Sequence, residues 1–482
     1  MEDRHPWLGA VLAFGVLVLP GCEEPSLRPE VVWEGPAAEV VSIKEWDHRS
    51  SYNTGSDVDR SGRLVAFVAS VKDGPEGVYL RDMERSVSRR IDVWYTGDQP
   101  APGTRADQQM HELGSGSPSV SAAGRHIAFV SNSPYLVPND TNRKGDVFVY
   151  DHAHGSLRMV STNGEGLQAN GDSRYPSISG DGRFVAFASR AGNLVEGSTH
   201  AMDVYLKDRR TGRIALISRG LEGRRRGGIE SLQISDDGST IAFASDASDL
   251  VPDDTNRAQD VFVWERGHGV ERVSLTSEGD QLVPFEYEES GGSFRDGADS
   301  VALSGDGDVV AFATHANGLV PEDQNDNVDV YVRDLASGTI ERVSEPSGGG
   351  DAYPDSRECG NNGQCFTFIA SHSPSLSFDG RYVSFVSGAP GLEIEDRDDP
   401  QGTDEDVFVH DRETDVTMLV HRTARGLPAR AANIYPGTIS GDGRSVTFGT
   451  DALLFGKRPT ASENGHVYLQ RLPRRFRLAD SG

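Results

Sequence analysis

Ser177-Ile-Ser-Gly-Asp-Gly-Arg-Phe-Val-Ala-Phe187 decides the fold, because the chain repeats it. Ser375-Leu-Ser-Phe-Asp-Gly-Arg-Tyr-Val-Ser-Phe385 is a near copy, and five looser ones bring the total to seven. The turn glycine of each copy falls at Gly62, Gly124, Gly182, Gly238, Gly307, Gly380 and Gly443, at intervals of 62, 58, 56, 69, 73 and 63 residues. Repetition in strict order marks one supersecondary unit reused along the chain.

Each unit reads as four strands. In the second copy Pro118-Ser-Val-Ser121 is a short run of small residues, Ala123-Gly124 is a hairpin signal, and Arg125-His-Ile-Ala-Phe-Val130 is rich in β-formers. Asp146-Val-Phe-Val-Tyr-Asp151 and, after a turn at Gly155, Leu157-Arg-Met-Val-Ser161 supply the third and fourth strands. The order returns in Asp260-Val-Phe-Val-Trp264 with Glu271-Arg-Val-Ser274, and in Asp329-Val-Tyr-Val-Arg-Asp334 with Glu341-Arg-Val-Ser344. No unit carries a helical period.

A four-stranded antiparallel sheet of this length cannot bury both of its faces alone. Its second strand (Val185-Ala-Phe-Ala188, Ile241-Ala-Phe-Ala244) is apolar on both. Such sheets must stack on neighbours, and radial stacking around a channel leaves only short, protected edges. The Ser-x-Ser pattern of the first strand (Ser119, Ser121; Ser177, Ser179; Ser375, Ser377) places small side chains where the sheets converge on the axis. The expected fold is all-β: a seven-bladed β-propeller of four-stranded antiparallel blades over residues 38–472. The last unit, Ile439-Ser-Gly-Asp-Gly-Arg-Ser-Val-Thr-Phe448 with His466-Val-Tyr-Leu-Gln470, lacks a fourth strand. Glu39-Val-Val-Ser42 carries the fourth-strand signature, so the N-terminal strand is expected to complete the final blade and cover an edge open to aggregation.

The Ser-x-Ser-x-Asp-Gly-Arg-x-Val-Ala-Phe run followed by Asp-Val-Phe-Val-x-Asp resembles the TolB-like, WD40-like propeller repeat of bacterial exported proteins. The repeat copies lack a Trp-Asp dipeptide at strand ends, which sets them apart from ordinary WD repeats. No stretch resembles the small α/β domain that precedes the propeller in TolB, so that protein's role in its own envelope complex is not carried over. Propellers host many unrelated activities, and the resemblance implies fold more than function.

Acidic residues outnumber basic ones 74 to 47, a formal charge of −27. Nucleic-acid binding needs a cationic face, so that class is excluded. An acidic surface suits solubility first and cation or basic-partner binding second.

Localisation is written at the N-terminus. Trp7 to Leu19 is a stretch of apolar residues and glycine, too short to span a bilayer but suited to a signal-peptide core. It ends in Leu19-Pro-Gly-Cys22, which resembles a bacterial lipobox. The resemblance implies a signal peptide over residues 1–21, lipidation at Cys22, and a Pro-containing tether over 22–37. Pro20 and the acidic Glu2 and Asp3 depart from the usual pattern; a short apolar tail on a soluble protein is the alternative. Residues 473–482 form a basic tail with Arg474, Arg475 and Arg477.

Cys359 and Cys365 are the other two cysteines, within Glu358-Cys-Gly-Asn-Asn-Gly-Gln-Cys-Phe366. In an oxidising compartment a local disulfide is the first choice. A two-cysteine metal site is the sharper reading, but no nearby histidine pair completes it.

Three loops between second and third strands share an Asp-x-Asn spacing ahead of a further Asp. They carry Asp140, Asn142 and Asp146; Asp254, Asn256 and Asp260; and Asp323, Asn325 and Asp329. Hard oxygens alternating along a tight loop suit Ca²⁺. None has the glycine and distal glutamate of an EF-hand loop, and Asp and Asn also close Asx-turns on their own backbone. Residues that break the repeat, such as His111, Glu112, His315 and His372, are the candidates for catalysis at the channel mouth, although a lone loop histidine is more often simply solvated. No catalytic constellation is recognised: a Gly-x-Ser-x-Gly elbow with plausible partners and a phosphate-binding glycine loop are both missing. The leading expectation is an exported, lipid-anchored, monomeric propeller that binds a protein or glycan of the cell envelope, periplasmic or at the cell surface. Its partners would meet the loop-rich face, at the cysteine insertion and at residues 275–299. The alternative is a propeller enzyme, a carbohydrate lyase or hydrolase.

Overall fold

β-Branched and aromatic residues dominate the second and third strand of every repeat, and the two strands pair antiparallel in each. A computed structural model describes residues 38–41, 55–70, 76–93, 95, 115–198, 200–221, 227–283, 285–289, 292–296, 298–316, 318–321, 323, 327–350, 370–389, 391–392, 405–422, 434–450 and 466–473. They form seven four-stranded antiparallel sheets and one separate hairpin, Phe285–Glu289 with Gly292–Asp296. This is a seven-bladed, all-β propeller.

Blade 1 begins at Ser56–Val58, blade 2 at Ser115–Val120, blade 3 at Ser173–Ile178 and blade 4 at Ile229–Ile234. Blades 5, 6 and 7 begin at Ala298–Leu303, Ser371–Leu376 and Ile434–Ile439. Each of these inner strands is followed outward by the next three, as in blade 3 by Phe184–Ser189, Asp203–Asp208 and Ile214–Leu216. In blade 7 the outermost place is held by Glu39–Val40, with Glu39 opposite Leu469 and Val40 opposite Tyr468. Strand polarity gives the propeller two unlike ends. The tight turns between strands one and two, and between three and four, share the turn face. The connections between strands two and three, and from each blade to the next, share the loop face.

Burial follows the seams between blades. The buried apolar residues fall into seven clusters, each joining two neighbouring blades. In the second strand of blade 3, Val185 and Phe187 pack toward blade 2 while Phe184, Ala186 and Ala188 pack toward blade 4. That division explains a strand with no polar face. A ring pair between strands two and three recurs in every blade, from Phe67–Tyr79 to Phe448–Tyr468, with centroids 5.7–6.1 Å apart.

The repeated motif has a job for nearly every residue. Ser179 N–H donates to Phe184 O at 2.9 Å, and Phe184 N–H returns a bond to Ser179 Oγ at 2.9 Å. Ser179 Oγ–H and Arg183 N–H both donate to Asp181 Oδ1 at 2.8 Å, closing the turn. The Arg183 guanidinium then grips Asp208 at the end of strand three through two bonds of 3.2 and 2.7 Å, which holds that carboxyl well below its usual range. Arg63–Asp82, Arg125–Asp151 and Arg381–Asp411 repeat the clamp.

The turn glycine serves twice. Gly380 has φ +66°, a left-handed conformation that side chains resist, and a Cβ there would lie 2.7 Å from Val309 Cβ of blade 5. All seven turn glycines press on the preceding blade in this way, including Gly62 of blade 1 on Ser445 of blade 7.

Two rings of hydrogen bonds run around the axis. At the turns, backbone N–H groups of Arg60, Ala122, Gly180 and Asp236 donate to carbonyls of Ala122, Gly180, Asp236 and Gly305. Asp306, Phe378 and Asp442 continue to Phe378, Gly441 and Arg60, so the circuit of 2.8–3.1 Å bonds is complete. The second ring uses inner-strand side chains. Ile178 N–H donates to Ser119 Oγ, Ile234 N–H to Ser177 Oγ, Leu303 N–H to Gln233 Oε1 and Ile439 N–H to Ser375 Oγ, at 2.6–3.2 Å. Blade 5 has Ala302 at this position, which offers no side-chain acceptor to Leu376 N–H of blade 6.

Two substitutions test these joints. Ala302→Ser supplies the missing acceptor and should raise stability in urea by about 0.5–1.5 kcal/mol, whereas Ser177→Ala should lower it by about as much. Gly380→Ala combines left-handed strain with an overlap and should cost about 2–5 kcal/mol in the same denaturation curves.

Candidate functional site

Inner strands of all seven blades enclose an axial cavity with ≈ 610 Å³ of empty space, open solvent included. Its wall is built from two levels of the motif. At the level of the first motif serine stand Asp57, Ser119, Ser177, Gln233, Ser375 and Thr438. A serine hydroxyl that accepts the N–H of the next blade keeps its own proton to donate, so this level offers hydroxyl donors to oxygen acceptors. Asp57 is the exception in charge. Its carboxylate accepts from Val120 N–H at 2.6 Å, Val58 N–H at 2.9 Å and Thr438 Oγ1–H at 2.8 Å, tying blades 7, 1 and 2 together. Burial nevertheless outweighs these bonds and pushes its pKa up to about 6.

One level nearer the turn face, four blades carry Ala122, Gly180, Gly305 and Gly441, and three carry large groups. Arg60 pairs with Asp236 across the ring, and its guanidinium lies 3.9 Å from the centroid of Phe378. Residues from blades 1, 4 and 6 thus meet over the cavity at its turn-face end. The small residues make room: a Cβ on Gly441 would come within 2.9 Å of Arg60, and those on Gly180 and Gly305 would strike Asp236 and Phe378. Burial raises the Asp236 pKa, opposed by Arg60.

This cluster was missed by sequence reading, which weighed histidines instead. The signal was there: Asp57-Val-Asp-Arg60 departs from the Ser-x-Ser-Gly pattern at the two positions that face the axis. Of the histidines, His315 is buried just beyond the second strand of blade 5. His372 stands on the inner strand of blade 6, with Nε2 3.0 Å from Glu405 Oε1 and Nδ1 2.9 Å from Ser373 Oγ. Neither is among the residues that line the axial cavity. His111, Glu112, Asn325, Cys22, Cys359 and Cys365 lie outside the described residues.

The Asp/Asn loops sit at the opposite, loop face, away from the axis. Asp140 and Asp146 share the Gln168 side-chain amide, at 2.8 and 2.9 Å. Asp254 and Asp260 face Arg272 at 3.3 and 3.6 Å, and Asp323 and Asp329 face Arg342 at 3.4 and 3.6 Å. Asn142 and Asn256 accept from the N–H groups of Lys144 and Ala258, two residues on, in Asx-turns. The strand-three aspartates also take a hydroxyl from the fourth strand, as Asp146 does from Ser161 and Asp260 from Ser274. Burial raises the pKa of Asp146 and of Asp254 to about 6. The charge opposite two of these carboxylate pairs is a guanidinium, and among the described residues no group of three His, Cys, Asp or Glu side chains is placed to hold a metal ion.

No protein-family model and no curated protein matches the chain. Solved structures do resemble it. TolB from Acinetobacter baumannii is 16% identical with a TM-score of 0.39, over 75% of this chain and 64% of that one. Oligogalacturonate lyase in complex with manganese is 13% identical with a TM-score of 0.44, over 93% and 98%. The β-propeller domain of the Trilobed protease from Pyrococcus furiosus is 10% identical with a TM-score of 0.47, over 92% and 97%. The chain therefore spans less than two thirds of the Acinetobacter TolB. At such identities the likeness concerns the fold, and no activity is transferred.

Asp57 gives a signed pH effect. A carboxyl whose folded pKa lies above its unfolded value binds its proton more tightly in the folded state, so its contribution to stability improves as pH falls from above 6 toward 4. Asp57→Ser keeps a hydroxyl acceptor for Val120 N–H but removes the titration. The difference in unfolding free energy between wild type and variant should therefore change across pH 6 to 4 in favour of the wild type, measured by denaturation at each pH. Arg272→Met leaves Asp254 and Asp260 together without their cation and should cost about 3–5 kcal/mol by calorimetry.

Proposed function

We propose that the chain is an exported, lipid-anchored propeller that serves as a binding scaffold for a protein or glycan in the bacterial cell envelope. Export and anchoring rest on the apolar stretch ending in Leu19-Pro-Gly-Cys22. The binding role is carried by one observation on the loop face. Val93, Tyr95, Leu167, Leu221 and Val283 are exposed by 42–77%, and all lie in the connections that follow the outermost strands of blades 1 to 4. Four consecutive blade-to-blade connections thus each present an exposed apolar side chain on the loop face. The axial cavity supports the same reading. Its carboxylates, Asp57 and Asp236, are held by interblade partners, an arrangement suited to fixing shape rather than moving protons.

The proposal is tested in the envelope itself. Full-length protein should sediment with membranes, and Cys22→Ser should move it to the soluble fraction. A photo-crosslinking residue at Leu221 or Val283 should yield a discrete adduct with an envelope component. The same residue at Ala336, on the turn face, should not. Equal adducts at both faces, or none, overturn the binding assignment, and turnover of an oligosaccharide by the purified protein would favour the enzyme reading instead.

A further inference from the structure

At the outer rim of a seam, near the turn face, the fold sets one fourth-strand residue against the residue that follows strand three of the next blade. The fourth-strand position is the one that pairs with the residue after the strand-three ring: Leu80 in blade 1, Val149 in blade 2 and Val332 in blade 5. Arg89, Arg158 and Glu341 are therefore equivalent. The facing positions are His152, Arg209 and Arg412, whose backbone N–H groups donate to the carbonyls of Arg125, Arg183 and Arg381 in their own blades. Between blades 5 and 6 the two positions hold opposite charges. Arg412 Nη1 donates to Gly380 O at 2.8 Å, and its Nε donates to the Glu341 carboxylate. Arg209 Nη1 makes the same bond to Gly182 O, yet what blade 2 sets against it is Arg158. Burial lowers the Arg209 pKa, and Arg158 and Arg125 push it the same way against Asp151. Between blades 1 and 2, Arg89 Nη2 donates to His152 Nδ1 and, at 3.1 Å, to His152 O. Burial first, then Arg89, holds the His152 pKa down, and Arg63 and Arg85 act in the same direction. Arg89, Arg158 and Arg209 bond to no carboxylate among the described residues.

We propose that the rim of these two adjacent seams is a docking site for an acidic peptide segment, whose Asp or Glu side chains take the place that Glu341 fills between blades 5 and 6. The inference goes beyond the loop-face reading: it concerns the other end of the propeller and depends on neither the lipid anchor nor the exposed apolar residues. Like charges held together raise the energy of the folded chain until an anion joins them, and here the fold itself shows which anion fits. Glu341 is 47% exposed and the Arg412 side chain it meets only 20%, so its carboxylate enters the seam from the rim on a two-carbon stem. Arg209 and His152 are likewise half-buried, while Arg89 and Arg158 are exposed. A carboxylate on a flexible stem reaches both depths; one fixed directly to a sugar ring meets the exposed arginines alone. Each rim pair is weak by itself, but two consecutive seams let one peptide engage both at high effective concentration. The net charge of −27 repels such a peptide from most of the molecule, which confines it to this sector.

Fluorescence anisotropy of a labelled oligoglutamate peptide reads the site on the purified protein. Binding should be measurable at low ionic strength and fall steeply with added salt. Arg158→Glu sets a carboxylate against Arg209 as Glu341 is set against Arg412, so it should weaken binding by about tenfold or more while the melting temperature holds or rises. Arg89→Gln, at the neighbouring seam, removes one charge without adding another and should weaken binding by about threefold. Lys144→Glu on the loop face changes the net charge as much as Arg158→Glu does and should alter affinity by less than about twofold. Absence of binding at low salt overturns the proposal, as do Arg158→Glu and Arg89→Gln proteins that bind like wild type. Equal weakening by Lys144→Glu overturns it too, because the peptide would then sense only overall charge. Polygalacturonate and inorganic phosphate, added as competitors at equal charge, should displace the peptide poorly. Displacement as effective as that by unlabelled oligoglutamate would assign the rim to an acidic glycan or a free oxyanion and overturn the peptide assignment. None of these outcomes bears on membrane sedimentation or loop-face crosslinking, so the two readings stand or fall separately.

Discussion

A propeller of this kind stands or falls on how one blade touches the next, and here that contact is made by a hairpin turn. The glycine of each turn adopts a left-handed backbone and lies so close to the preceding blade that a methyl group would overlap it. Around it, backbone bonds pass from turn to turn through all seven blades and return to Arg60. Because the buried apolar residues are divided among seven seams, no blade has a core of its own. Each sheet is stable only in company, and the turn fixes the spacing at which company is kept.

This dependence explains why so much of the architecture was legible from one motif. The Asp-Gly of the turn, the paired serines and the Val-Ala-Phe strand all meet needs that recur at every seam, so the requirement is written seven times. The motif arginine belongs with them: it recurs because it must reach the aspartate at the end of strand three, as Arg183 reaches Asp208. The role of the first serine was less legible. Small size was the visible property, whereas its oxygen is what the next blade uses, and only the register between blades shows that Ser177 Oγ meets Ile234 N–H.

What the motif could not show is where it is broken to a purpose. Arg60, Asp236 and Phe378 are far apart in sequence and belong to three blades, so although each breaks its own copy of the motif, no single copy shows that they meet at one end of a cavity. They become conspicuous only when the repeats are superposed in register. The acidic loops illustrate the opposite problem. Asp254-Thr-Asn256 with Asp260 has the composition of a cation site, yet the cation opposite it is Arg272, contributed by a strand that follows the loop by more than ten residues. Spacing along one loop identifies the oxygen atoms available but not the positive group brought to them by the fold.

Strand polarity imposes a last consequence on function. In a four-stranded blade the short turns must gather at one end and the long connections at the other, so variable sequence accumulates on a single face without disturbing the seams. The exposed apolar residues beyond the outermost strands of blades 1 to 4 exploit that freedom, since nothing in a connection needs to match its counterpart in the next blade. The turn face has no such latitude. Its described residues are committed to glycine contacts, arginine–aspartate clamps and the circular backbone bonds, and the regularity is broken on the axis by Arg60, Asp236 and Phe378 and at the rim by the corner of blade 7 where Glu39 and Val40 pair with the last strand.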